Sequence, residues 1–254
     1  MARGLQLCYT DAYAHRVDAT VTSVTLREGD GAPSVALDRT VFYPGGGGQP
    51  ADEGVLIRPR DGATWVVRSA HKEDGEIVHD LALSGSISPE ALAAAGDDVT
   101  VEIDWPRRHL LMRTHTALHV LCGVVWRDYG AQVTGGNMEP GAGRMDFEFE
   151  RMSAELVGEI EARVNAEIAA AREIRVAVLP RDEAFAIPDL IRTKINLLPP
   201  GIAEIRTVEI VGLDLQADGG THVATTREVG VVRVTGYESK GRINKRIRIA
   251  IEDA

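Results

Sequence analysis

Cysteine is scarce in this chain: two in 254 residues, Cys8 and Cys122. They make no CxxC pair for metal or redox chemistry. A disulfide between them stays open, but two reduced thiols in a cytoplasmic protein are expected. No apolar run is long enough for a membrane span. The opening MARGLQLCYTDAY lacks the apolar core of a secretory leader. Basic charge is also short, with 28 Lys and Arg against 38 Asp and Glu and a formal net charge of −10. That balance argues against broad, non-specific nucleic-acid binding but leaves room for a local basic patch. Repeats and low-complexity tracts are missing too. What remains is a chain 44% hydrophobic, able to bury a real core in one large or two small domains.

The first hundred residues read as short strands with Gly-rich turns, the pattern of a small barrel. RVDATVTSVTL and SVALDRTVFY are strand candidates, with the turn-rich EGDGAP between them. GVLIRPRDGATWVVRSA reads as a hairpin around Asp61 and Gly62. SPEALAAAGDD predicts a short helix before the strand VTVEIDW. A boundary near Asp104 to Pro106 gives domains 1–104 and 105–254. In the second, RRHLLMRTHTALHVLCGVVWRDY predicts a largely buried helix. Ser153 predicts the cap of another, with Leu156, Ile160, Val164 and Ile168 along one stripe. EIRVAVLP and EIRTVEIVGLDLQ supply strands, separated by a loop holding Pro199 and Pro200. The end of the chain reads as a hairpin, with Ile247, Ile249 and Ile251 on one face and Arg246 and Arg248 on the other. Strands and helices do not alternate strictly, so the fold class is α+β: a small N-terminal β-barrel followed by an α+β domain.

The string RTHTALHV places His115 and His119 just over one helical turn apart, on one face. Alone, the pair suits two core histidines as well as a metal. DGGTH sets Asp218 and His222 across a Gly-Gly turn that can aim both at one point. Three histidines and a carboxylate are a ligand set that zinc accepts, and iron or manganese also fits. A zinc peptidase would need a glutamate after the first histidine; Thr116 stands there instead.

Several strings, in order along almost the whole chain, together resemble the alanyl-tRNA editing domain and its free-standing AlaX relatives. They are FYPGGGGQPADEG, MRTHTALHVL, VTGGNMEPGAGRMDF (a loop and strand after the helix), DGGTHVATTREVG and ESKGRINKRI. The resemblance implies a barrel followed by a zinc-bearing editing domain, as in the medium-length AlaX type. It implies one Zn2+ per chain, held by His115, His119, Asp218 and His222. It implies hydrolysis of the ester on mischarged tRNA(Ala), chiefly Ser-tRNA(Ala) and in some members Gly-tRNA(Ala). The length leaves no room for an aminoacylation domain, so editing in trans is expected. The family's usual cysteine falls on Asp218, which leaves open a four-ligand site or three histidines with Asp218 behind them.

Asp218 is then also a candidate proton acceptor, and the ion either activates water or positions substrate. Thr40 matches a family threonine associated with the serine hydroxyl, unless it is an ordinary strand residue. Gly45, Gly46, Gly47 and Gly48 would let backbone approach substrate, with Gln49 adding an amide; a plain turn is the alternative. Arg233, Lys240, Arg242, Lys245, Arg246 and Arg248 form the one basic run. Lys240, Arg242, Lys245 and Arg246, with Arg107 and Arg108 ahead of the metal helix, are the expected tRNA contacts; a solvated edge strand is the alternative for the run. Two rival readings stand: a zinc-stabilised tRNA-binding module without catalysis, and a metallohydrolase acting on another aminoacyl-tRNA or a small ester.

Overall fold

The computed structural model describes residues 4–27, 31–82, 93–193 and 201–253. The chain divides into two compact units, Met1–Gly46 with Pro50–Arg108, and Gly47–Gln49 with His109–Ala254. Part of the glycine loop thus belongs with the second unit.

The first unit contains β1 (Leu5–Gln6), β2 (Arg16–Leu26), β3 (Pro33–Leu37), β4 (Arg39–Thr40), β5 (Gly54–Ile57), β6 (Thr64–Glu73), β7 (Glu76–Leu81) and β8 (Asp98–Ile103). Six of these close a barrel in the order β2-β3-β7-β6-β5-β8, which leaves no free edge. Alternation drives it. In β6, Trp65 and Val67 point inward, a register shift between Val67 and Ser69 intervenes, and Ala70 takes the next inward place. The hairpin expected at Asp61 and Gly62 joins β5 to β6. Asp61 closes it by accepting the Ala63 N–H and pairing with Arg58.

One expected strand breaks in two. SVALDRTVFY divides at Asp38, where the chain leaves the barrel pairings of β3 for the parallel pairing of β4 with β1. The Asp38 carboxylate accepts the Thr20 N–H at 2.8 Å, which ties the break down. Of the helix expected within 88–98, residues 88–92 lie outside those described, and the remainder is not helical: 93–97 are turn and coil, and Asp98 opens β8.

Helix α1 (Trp105–Tyr129) follows. Asp104 starts it by accepting the Arg107 N–H at 3.1 Å. From Leu111 to Val125 all but Arg113 are buried, as the apolar circumference requires. The second unit then runs through β9 (Val133–Glu139), β10 (Ala142–Glu148), α2 (Ala154–Ala169), β11 (Ile174–Pro180), α3 (Arg181–Phe185), β12 (Glu204–Ile210), β13 (Asp214–Ala217), β14 (Val231–Ser239) and β15 (Asn244–Glu252). They form two antiparallel sheets, β14-β15-β10-β9 and β11-β12-β13.

Ser153 caps α2, accepting the Leu156 N–H. The buried stripe is Val157, Ile160, Val164 and Ile168; Leu156 is only half-buried. Asn165 of that helix exchanges two hydrogen bonds with Val232, covering the outer edge of β14. VTGGNME is a strand, not the expected loop: its pairing with β10 overrides the low strand propensity of Gly135 and Gly136. The two-proline loop at Pro199 and Pro200 lies outside the described residues.

Candidate metal centre

The second unit gathers His115 and His119 from α1 with Asp218 and His222 from the turn after β13. One ligand atom from each of the four lies within 4.8 Å of the others. Asp218 Oδ1 stands 3.6 Å from His115 Nε2 and 4.0 Å from His119 Nε2. Its Oδ2 stands 3.1 Å from His222 Nε2 and accepts the Gly220 N–H at 2.7 Å. Ligands at zinc bond lengths in a tetrahedron stand about 3.3 Å apart, so these spacings bracket that value. The three imidazole centroids are 4.3 to 4.9 Å apart. Gly220 is required by crowding: a Cβ there would fall 2.3 Å from His115 Cε1 and 2.7 Å from Gln49 Oε1.

Protonation suits a cation. Burial lowers His115 well below 6.5 and takes His222 to about 4. Burial works to raise Asp218, but attraction to His115 and the hydrogen bond from His222 prevail and hold it well below the usual carboxylate range. At neutral pH His115 and His222 are therefore uncharged and Asp218 is ionised, the charge states in which such groups ligate a metal. The outer nitrogens differ in their surroundings. His115 Nδ1 meets Gln49 Oε1 at 3.0 Å, and His222 Nδ1 meets Thr116 Oγ1 at 3.1 Å. His119 Nδ1 is buried with no hydrogen-bond partner among the described residues; Asp214 Oδ2 lies 3.9 Å away. These observations fit a metal: four convergent ligand atoms, with two of three imidazoles already oriented from behind.

His115, His119 and Asp218 open on a pocket of about 830 Å³ within this unit. Its wall carries Gly47 and Gly48, the glycines of β9, and polar groups from Thr134, Thr193 and Gln216. All four loop glycines have φ between 59° and 125°, conformations that a side chain would strain. Gly45 and Gly46 belong to the first unit. Gln49 is 2% exposed, and both ends of its amide are engaged inside the protein.

Thr40 was expected to meet the serine hydroxyl. It lies in the first unit, 2% exposed, where its hydroxyl meets His79 Nε2 at 2.8 Å and accepts the Phe42 N–H at 3.1 Å. His79 Nδ1 must donate to the Val35 carbonyl, so Nε2 accepts and the Thr40 proton is committed to it. The hydroxyl's proton and one lone pair are used within the first unit, which leaves one acceptor lone pair.

The basic residues also divide. Arg108 is fully buried and bound to Asp52, Ala12 and Val41, so it presents nothing to a phosphate. Lys245 is 5% exposed because it shares strand parity with Ile247; its Nζ donates to the carbonyls of Gly241 and Arg242. Arg246 makes a two-bond pair with Asp146, and Arg107 pairs with Glu53. Lys240 is exposed beside Glu238, and Arg242 is exposed. The sequence reading missed Thr116, Asp214, Thr221 and Arg206. Arg206 is 6% exposed, and its guanidinium donates to the Asp218 carbonyl at 2.9 Å. Its strand parity with Val208 and Ile210, both buried, was the available signal.

Residues 205–248, which hold Asp218 and His222, match the family described as threonyl and alanyl tRNA synthetase second additional domain. Residues 11–107 match tRNA synthetases class II (A). The alanyl-tRNA editing protein AlaX-M of Methanosarcina mazei is 37% identical over 97% of this chain and 96% of its own length. The chain belongs to the AlaX-M family of alanyl-tRNA editing proteins. The AlaX-M of Saccharolobus solfataricus is 34% identical over 97% of this chain and 98% of its own. The alanine–tRNA ligase of Pyrobaculum aerophilum is 37% identical over 94% of this chain, but the match covers only 26% of that enzyme. The resemblance seen in the sequence is therefore a family membership along nearly the whole chain. Among the described residues, no helix is long and apolar enough to cross a membrane.

Proposed function

We propose that this AlaX-M family member is a cytoplasmic trans-editing hydrolase that deacylates mischarged tRNA(Ala), chiefly Ser-tRNA(Ala) and next Gly-tRNA(Ala). One zinc ion per chain is held by His115, His119, His222 and Asp218. The observation carrying this reading is the convergence of those four side chains at the wall of a pocket of about 830 Å³. The names of the relatives, matched over nearly their full length, support the substrate.

Ester hydrolysis needs a placed water, a destination for its proton and donors for the oxyanion. When bound, zinc supplies a Lewis acid. Asp218 is the hardest of its four holders and the one able to take a proton; Arg206 Nη1, 3.7 Å from Oδ2, favours its ionised form. Gly47 and Gly48 bring bare backbone to the terminal adenosine or the ester. Thr134, Thr193 and Gln216 stand on the wall of the same pocket, beside the space the amino acid would fill. Lys240 and Arg242, which are exposed, take the role of phosphate contacts; Arg108 and Lys245 do not. The test is deacylation of Ser-, Gly- and Ala-tRNA(Ala) by purified protein. Loss of the serine ester with the alanine ester spared is expected. A protein that binds the tRNA and leaves every ester intact would instead be a zinc-stabilised binding module.

A further inference from the structure

We infer that Gln49 is a positioning residue that selects the metal-binding tautomer of His115, rather than a group that touches substrate. The inference rests on the metal reading above. Three hydrogen bonds carry it. The Thr221 backbone N–H, which can only donate, reaches Gln49 Oε1 at 3.0 Å. That contact assigns the oxygen end of the amide without appeal to the histidine. Gln49 Nε2 donates to Thr221 Oγ1 at 2.8 Å, so one residue grips both ends. The second lone pair of Oε1 faces His115 Nδ1 at 3.0 Å.

An amide oxygen cannot donate, so Nδ1 must carry the ring proton. Nε2 is left with its lone pair toward the cluster, 3.6 Å from Asp218 Oδ1. The opposite tautomer would place an N–H where a metal must sit, and Asp218 Oδ1 would be a ready acceptor for it. Gln49 removes that competitor before any ion arrives. The surroundings make the setting rigid. Gln49 is 2% exposed, and the Gly220 backbone packs so closely that a Cβ there would overlap both partners. A side chain that meets His115 across 66 residues and Thr221 across 172 thereby joins the glycine loop, α1 and the turn after β13.

The test begins with zinc-free wild-type protein, in which long-range imidazole ¹H–¹⁵N correlation should find the His115 proton on Nδ1. A proton on Nε2 would overturn the inference without any variant. Zinc affinity, measured by competition with a chelator, should fall roughly 10- to 100-fold in Gln49→Leu. In Gln49→Glu, both carboxylate oxygens accept and the Thr221 hydroxyl can turn to donate, so affinity should stay within a few-fold of wild type. That rescue separates tautomer selection from mere filling of space. Wild-type zinc binding matched by Gln49→Leu would sink this inference and leave the hydrolase reading intact. A wild-type protein with no zinc affinity would sink the metal reading itself.

Discussion

Gly220→Ala is the sharpest packing test of the metal centre. The new Cβ would lie 2.3 Å from His115 Cε1, 2.4 Å from His115 Nδ1 and 2.7 Å from Gln49 Oε1. Carbon contacts settle near 3.5–4.0 Å, so the shortfall exceeds roughly 1 Å. No flexible side-chain tip stands there to give way. His115 is 6% exposed on a buried helix, and Gln49 is held at both ends. Either the ring or the Asp218–His222 turn must move by about an ångström, several times the roughly 0.2 Å tolerance of a metal site. Overpacking of this kind costs about 1–3 kcal/mol of folding stability. Zinc affinity should fall at least about 10-fold, as when support behind a ligand is lost. Chelator competition gives the affinity, and urea denaturation of the zinc-free protein gives the stability. Wild-type values in both measurements would refute the reasoning.

Other expectations follow from the same geometry. His79 is wholly buried and held at about 4 against an ordinary 6.5, mainly by burial. The unfolded chain therefore takes up a proton below about 6.5 that the native chain refuses, and stability should fall as pH drops from 6.5 toward 4, by about 3 kcal/mol. Urea denaturation across that window should give a flatter profile for His79→Asn than for wild type; identical slopes would discard the assignment. Asp218→Asn should lose single-turnover activity more than zinc, while Asp218→Cys should bind zinc more tightly and retain some activity. If Asp218→Asn matches wild type in both, Asp218 is neither ligand nor base. Replacing Lys240 and Arg242 with Gln should weaken tRNA binding and reduce the salt slope by about 2, whereas Lys245→Gln should loosen the β14–β15 turn and leave the slope alone. An unchanged slope in the double variant would move the RNA surface elsewhere.

Helical spacing made His115 and His119 legible, because an i,i+4 pair on a helix buried nearly all round has few outcomes. The Gly-Gly turn made Asp218 and His222 legible as a second pair. Barrel strands were visible through alternation, but the break at Asp38 was not, since it follows from a change of partner strand. Charge counting misled at the basic run. Lys245 shares parity with Ile247 and Ile249, so the alternation already pointed it inward. The acids that pair with its neighbours, Asp146 and Glu238, come from other strands and cannot be found by proximity in sequence. Thr40 and His79 meet across 39 residues, and Gln49 meets Thr221 across 172. Such contacts have no spacing signature, which is why Gln49 read as a substrate group.

The most direct measurement of the central claim is single-turnover deacylation of Ser-tRNA(Ala) beside Ala-tRNA(Ala), using zinc-loaded wild-type protein and His222→Ala. The account predicts rapid release of serine, sparing of the alanyl ester, and loss of both zinc and serine release in the variant. Equal cleavage of the two esters, or full activity in His222→Ala, would contradict it.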